Sequence, residues 1–321
     1  MTEVWCVRAG TVPYERVREL QGAIERARHA GEVPDVLLLL EHPPVYTRGR
    51  RSDPGELPMG EDWYHKQGIE VCETDRGGRV TYHGPGQLVG YPIIALGDYD
   101  GGVHGYVRRL EQVMSGALEE WRVKTQVFSG LTGMWTAGAP PIPIGDIGPQ
   151  GSRVGLQGQD APEEKRTASE PVSQADAGGA PGAEPCPPSR SGPPEQRATT
   201  LDFRGPAGAL PARKIGAIGV HVRRGITTHG FAINVNNDLQ PFEWIVPCGI
   251  EAAQTTSLTN ELGAEQNLQA FAAALAEHYS HRFSRRLKFL EPAELAEHVA
   301  SVGSLHAETA GARAGARAGA A

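Results

Sequence analysis

The hydrophobic patterning of this chain predicts one α/β domain, with helices packed on a mixed or largely antiparallel sheet. Apolar residues recur at helical spacing in three places: Val17, Leu20, Ile24 and Ala27; Val103, Tyr106, Val107, Leu110, Met114, Leu118 and Trp121; and Leu268, Phe271, Leu275, Tyr279 and Phe283. The run VLLLL at 36–40 has the length and composition of a buried strand. KIGAIGVHV at 214–222 and ITTHGFAINV at 226–235 meet at Arg223-Arg224-Gly225, which reads as a β-hairpin.

Taken in order, the first helix should start after Pro13, whose fixed φ suits a helix entrance, and stop near Gly31. Residues 76–92, RGGRVTYHGPGQLVGYP, thread glycines, two arginines and His83 between β-forming residues. They read as a strand, a glycine-rich turn and a second strand. Glycine allows close backbone approach or positive φ, so the stretch suits a backbone-lined site, although a plain hairpin would look much the same. VKTQVF at 123–128 is strand-like. Residues 138–200 hold 12 of the 25 prolines and no Phe, Trp or Tyr. Such a segment buries too little apolar surface to offset its ordering entropy, so a disordered insertion is expected there. The expected organisation is therefore 1–137 with 201–300 as one catalytic domain, 138–200 as the insertion, and 301–321 as a low-complexity tail.

Composition excludes several classes. A net charge of −7 and a pI near 5.9 argue against nucleic acid as a partner. No apolar run approaches the ~18 residues of a membrane span. Cys6, Cys72, Cys186 and Cys248 lie far apart without a CxxC pair, so neither a zinc ribbon nor a disulfide framework is indicated. The N-terminus lacks a signal-peptide apolar core, and a reducing cytoplasm is the expected location.

Few side chains carry chemistry. Cys248 sits in IVPCGI, where Pro247 blocks helix continuation and Gly249 permits a sharp turn. The thiol therefore stands either at a strand end facing a cleft or, as a lone Cys among apolar residues, in inert core. A free thiol with pKa ~8.5 is only a few per cent ionised at pH 7. A cation that brings it to about 7 makes half of it thiolate. Lys214, opening an otherwise apolar and glycine-rich strand, is the candidate cation, though a strand-end lysine at the surface fits equally. His83 titrates near neutrality and suits proton relay or substrate orientation, or a simple turn. Arg76 suits a phosphate or pantetheine clamp. His42 and His229 lack the spacing of a ligand pair, so no metal is expected.

Five segments in order resemble the octanoyltransferases of lipoate biosynthesis: LLLLEHPPVYTRG at 37–49, RGGRVTYHGPGQLVGYP at 76–92, GLTGMW at 130–135, KIGAIGVHVRRGITTHGFAINV at 214–235 and IVPCGI at 245–250. The resemblance implies an α/β fold similar to the catalytic domain of biotin and lipoate protein ligases. It places the nucleophile at Cys248 and a polarising, proton-handling lysine at Lys214. It places acyl-substrate contacts at Arg76, Gly77, Gly78, Arg79, Val80, Thr81, Tyr82 and His83, at Ala217, Ile218 and Gly219, and at Gly230, Phe231 and Ala232. No cofactor is implied. The implied donor is octanoyl-acyl carrier protein; the implied acceptors are lipoyl domains of 2-oxoacid dehydrogenases and the glycine cleavage H protein.

The chain departs from the family in one respect: 78 positions separate Trp135 from Lys214, where family members have a short loop. Both protein partners are acidic domains, as the family implies, so docking on an acidic chain needs a local basic rim. Arg48, Arg50, Arg51, Arg79, Arg108 and Arg109 are its candidates. The rival readings are an ATP-dependent lipoate or biotin ligase, a non-catalytic module that binds acyl carrier protein, and a papain-like hydrolase. The PCGI cysteine disfavours the first, intact Cys248 and Lys214 the second, and the absence of a papain-type cysteine signature the third.

Overall fold

The computed structural model describes residues 2–128, 131–137, 212–245 and 254–300. Cys248, the insertion at 138–200 and the tail at 301–321 lie outside the described residues. In chain order the elements are β1 (Glu3–Thr11), α1 (Tyr14–His29), β2 (Asp35–Glu41), β3 (Val45–Arg48), α2 (Glu61–Lys66), β4 (Glu70–Glu73), β5 (Thr81–His83) and β6 (Gln87–Ile93). There follow α3 (Gly102–Glu120), β7 (Thr125–Phe128), β8 (Leu131–Thr136), β9 (Lys214–Arg223), β10 (Ile226–Asn234), α4 (Gln240–Glu243), α5 (Leu258–Leu262), α6 (Leu268–Phe283) and β11 (Arg286–Leu290). Residues 292–300 are helical.

Eight strands form one sheet in the order β11-β1-β2-β6-β10-β9-β8-β7. It is mixed, as expected: β1 runs parallel to β2 and β11, and every pairing from β2 onward to β7 is antiparallel. Strand alternation divides VLLLL between two cores. Leu37 and Leu39 join the cluster beneath α3 and α6, while Val36, Leu38 and Leu40 join the one beneath α1. The run is apolar throughout because β2 is covered on both faces.

The β9–β10 hairpin is present. Arg223 pairs with Ile226 across Arg224 (φ 51°) and Gly225 (φ 79°), and two consecutive positive φ values suit a two-residue turn between twisted strands. The expected strands at 76–92 also form, but not as a hairpin. β5 pairs with β3 in a separate three-stranded sheet, whereas β6 joins the main sheet. The Gly-Pro-Gly turn carries the chain from one sheet to the other. Gly86 there has φ 83°, and a Cβ on it would lie 2.7 Å from the Asn237 backbone nitrogen.

We expect Leu38→Ala to destabilise the protein by about 3 kcal/mol, because it leaves a cavity in a strand packed on both faces. Urea denaturation measures this, and a loss below about 1 kcal/mol would contradict double-sided burial.

Candidate active site

Strand β9 carries glycine where other groups come close. A Cβ on Gly219 would sit 2.9 Å from the Gly77 carbonyl oxygen, and one on Gly216 would sit 2.5 Å from Met114 Cε. With no side chain at 219, the 76–79 loop lies on the strand, and Gly77 N–H donates to the Val220 carbonyl at 3.0 Å. The loop is also held from behind. Arg76 is buried, donating from Nε and Nη2 to Thr47 Oγ1 at 3.0 and 2.7 Å, and from Nη1 to the Gly77 carbonyl at 3.1 Å. Buried Glu56 accepts from Arg79 Nη1 at 2.6 Å and from Val80 N–H at 3.1 Å.

Between this loop, β8, β9, β10 and the start of α3 lies a cavity of about 660 Å³, within the usual size range of small-molecule sites. Lys214, Arg76, Gly77, Gly78, Arg79, Val80, Thr81, His83, Ala217, Ile218, Gly219, Gly230, Phe231 and Ala232 all border it. Of the candidate residues within the described regions, Tyr82 alone does not. Strand alternation aims Thr81 and His83 at the cavity and turns Tyr82 the other way, onto Tyr46 and Phe242. Tyr82, expected among the substrate contacts, packs in this structure against Tyr46 and Phe242.

Lys214 stands at the opening of β9. Its Nζ lies 5.5 Å from the Trp135 ring centre, within cation–π range. Gly133, at φ 123°, lets the lysine stem pass, since a Cβ there would be 3.1 Å from Lys214 Cε. Lys214 N–H donates to the Gln254 carbonyl at 2.7 Å, and its own carbonyl accepts from Thr256 N–H at 2.9 Å. The segment that follows Cys248 in sequence thus re-enters the described structure beside Lys214.

At the loop end of the cavity, histidines and tyrosines pack together. Tyr14, His83, Tyr91 and His229 border the space, with His42 behind them. Burial, reinforced by His42, depresses His83 to about 3, and burial depresses His42 to about 4. Burial also lowers His229, against the pull of Asp75 at 2.7 Å. Asp75 in turn is lowered to about 2, chiefly by that hydrogen bond. The imidazoles are therefore neutral at pH 7. Positive φ at His229 (57°) turns its ring out of strand alternation, toward Tyr14 and Asp75.

Tyr14, Tyr91 and Trp135 were not anticipated as site residues. Apolar periodicity marks such aromatics only as core, and their role depends on partners far away in sequence. The arginines expected to form a rim are dispersed. Arg51, Arg79 and Arg108 border the cavity, Arg48 pairs with Glu61 and Glu73, and Arg109 stacks on Tyr99. Among the described residues no helix is long and apolar enough to cross a membrane.

The class is visible in solved structures. A bipartite lipoate protein ligase from Thermoplasma acidophilum superposes with a TM-score of 0.57 at 14% identity, covering 94% of this chain and 91% of that one. A lipoate-protein ligase A bound with ATP gives a TM-score of 0.54 at 14% identity, covering 94% of this chain and 93% of its own. These likenesses establish the fold.

Sequence relatives are closer. Octanoyltransferases are 38% identical over 269 residues in Mycobacterium leprae, covering 84% of this chain and 83% of that protein. The Acidobacterium capsulatum octanoyltransferase is 32% identical over 303 residues, covering 91% and 96%. The family model described as the lipoyl protein ligase A/B catalytic domain matches residues 13–165 and 190–280. The chain belongs to this family, among its octanoyltransferases, and is an acyltransferase.

Depressed histidines predict a fold that loses stability in acid. A buried base held below its ordinary value of 6.5 binds fewer protons folded than unfolded, so stability rises with pH between the two values. Stability should fall as pH drops below about 6.5, with roughly two more protons bound by unfolded His42 and His83 near pH 5. Asp75 adds a loss of the same sign below about 3.8, continuing through its folded value of about 2. Urea midpoints measured from pH 7 to 2 check this. A flat profile would show that these imidazoles are not held neutral.

Proposed function

We propose that the protein transfers an octanoyl group from octanoyl-acyl carrier protein to a lysine of lipoyl domains through a thioester on Cys248, the first step of endogenous protein lipoylation. The observation that carries the reading is one cavity bordered both by Lys214 and by the three segments expected to hold the acyl substrate. The backbone pairing of Lys214 with Gln254 and Thr256, just beyond Cys248 in sequence, supports a Cys–Lys pair.

In the first half-reaction the Cys248 thiolate attacks the donor's thioester carbonyl. The new S–C bond forms, the donor C–S bond breaks, and the carrier thiolate leaves and takes the proton of the Lys214 ammonium, which leaves that amine neutral. In the second, the lysine amine attacks the acyl-enzyme. The C–N bond forms, the bond to Cys248 breaks, and the amine's proton passes to Lys214. Splitting the transfer in two gives each step a good nucleophile and a thiolate leaving group, with no ATP. The Lys214 ammonium favours the thiolate before the first step. Backbone N–H groups of the glycine-rich strands suit the developing oxyanion, at roughly 3 kcal/mol per donor in well-placed cases. Val103, Val107, Phe128, Ile218 and Phe231 offer the acyl chain an apolar wall. Each buried methylene is worth ~0.8 kcal/mol, so two carbons change binding about tenfold.

The acceptors proposed are the lipoyl domains of 2-oxoacid dehydrogenases and the glycine cleavage H protein, and the cytoplasm is the proposed location. Behind the ATP-dependent ligase reading stand fold likeness at 14% identity and a family model shared by ligases, whereas the relatives at 32% and 38% identity are octanoyltransferases. The proposed domain plan keeps 1–137 with 201–300 as the catalytic part and 138–200 as an insertion. The break in the family match between 165 and 190 supports it.

Incubation with octanoyl-carrier protein should add one octanoyl mass to the wild-type chain and none to Cys248→Ser. Lys214→Ala should slow acylation at pH 7 by about 10² or more. Normal turnover by Cys248→Ser would end this mechanism. Deleting 140–198 should leave transfer unchanged, measured with the same lipoyl-domain assay.

A further inference from the structure

We propose that Tyr14, His83 and Tyr91 form a wall of hydrogen-bond acceptors in the cavity, a subsite for an N–H donor belonging to one of the two substrates. The inference rests on the acyl-transfer reading and deepens it. It follows from where each proton must lie.

A backbone carbonyl only accepts, so His42 Nδ1, 2.7 Å from the Val12 carbonyl, carries a hydrogen. His42 is neutral, so its Nε2 is bare and accepts from the Tyr91 hydroxyl at 2.8 Å. Tyr91 has then spent its only hydrogen away from the cavity and offers lone pairs to it. The same reasoning runs through Gln87. Its Nε2 donates to the Tyr82 carbonyl at 3.1 Å and to Asn234 Oδ1 at 2.9 Å, which fixes the amide orientation. Gln87 Oε1 must therefore accept, at 2.6 Å, from His83 Nδ1–H. His83 is neutral as well, which leaves Nε2 a bare acceptor on a ring that borders the cavity.

The third case is His229. Asp75 Oδ1 takes its Nε2–H at 2.7 Å, so Nδ1 accepts the Tyr14 hydroxyl hydrogen over a long 3.5 Å, and the Tyr14 oxygen too has only lone pairs left. Tyr14 stacks on His83 with ring centres 6.3 Å apart. Three acceptors thus meet at one end of the cavity, and each proton points outward to a fixed partner.

The adjacent positive charge selects the form of the ligand. Arg76 borders the same space, and its field acts on Tyr14, His83, Tyr91 and His229. A guanidinium there disfavours an ammonium but leaves a neutral N–H unopposed. Two groups in the proposed reaction have that chemistry: the neutral lysine amine that receives the acyl group, and an amide N–H of the pantetheine arm that delivers it.

The tautomers are tested directly by 15N NMR of the full-length protein at pH 7. His42 and His83 should carry hydrogen on Nδ1 alone and His229 on Nε2 alone. His83 protonated on Nε2 would overturn the proposal, and this readout needs no variant and no activity. Tyr91→Phe and His83→Phe then remove one acceptor each while keeping ring shape. Loss of about one hydrogen bond predicts a roughly tenfold effect. If the donor is the acceptor amine, transfer from acyl-enzyme to lipoyl domain slows by that factor beyond any effect on acyl-enzyme formation, measured separately for each variant. If it is the pantetheine amide, the preference for octanoyl-pantetheine over the amide-free thioester of 2-mercaptoethanol falls instead. Folded variants that change neither step by more than about twofold would also overturn the proposal. A wild-type protein that forms no acyl-enzyme would sink the mechanism under Proposed function while leaving the tautomer result intact.

Discussion

The site depends on two stretches of backbone touching at Gly219. The 76–79 loop could not lie on β9 if a side chain stood there, and the Gly77–Val220 hydrogen bond could not form. That contact fixes the guanidinium of Arg76, already tied to Thr47, and closes one side of the cavity. Gly230 repeats the device one strand inward, where a Cβ would run into the Gly90 carbonyl and Pro92. Glycine spacing along β9 and β10 therefore acts through packing: it lets the walls approach closely enough to leave a shaped space between them.

Much of this was legible in sequence, and what was not has physical reasons. VLLLL announced a buried strand because both its faces meet apolar partners, Leu38 toward α1 and Leu37 toward α3 and α6. Arg224-Gly225 announced a turn because only local geometry is needed there. The strands at 81–83 and 87–93 were equally readable, but not their separation into two sheets. Alternation reports that a segment is extended and is silent about its partner. Gly86 crosses between the sheets through a contact with Asn236 and Asn237, 150 residues away, which no local window contains.

The histidines illustrate the same limit. His42 and His229 looked unremarkable because neither has a chemically suggestive neighbour in sequence. Their partners are Val12, Tyr91, Asp75 and Tyr14, supplied by β6, α1 and the loops around them. Once gathered and buried, they cannot hold charge without a large desolvation penalty, so each becomes a fixed dipole whose direction its partner sets. The same holds for arginines. Of those named for a rim, Arg48 and Arg79 face carboxylates that no local window reveals, and Arg108 faces Glu111.

The two ends of the cavity are joined by a continuous hydrogen-bond path. His83 Nδ1 donates to Gln87, Gln87 Nε2 donates to Asn234 Oδ1, Asn234 Nδ2 donates to the Thr256 carbonyl at 3.0 Å, and Thr256 N–H donates to the Lys214 carbonyl. Gln87 and Asn234 are buried, so flipping either amide would set donor against donor where no water can intervene. The polarity of the path is thus fixed along its length. The orientation of the imidazole at one end and the position of the lysine strand at the other are set by one network, and a change at Asn234 should disturb both. The two half-reactions proposed for octanoyl transfer would need both ends in register, since the acyl carbon would have to stay in place while one nucleophile replaces the other.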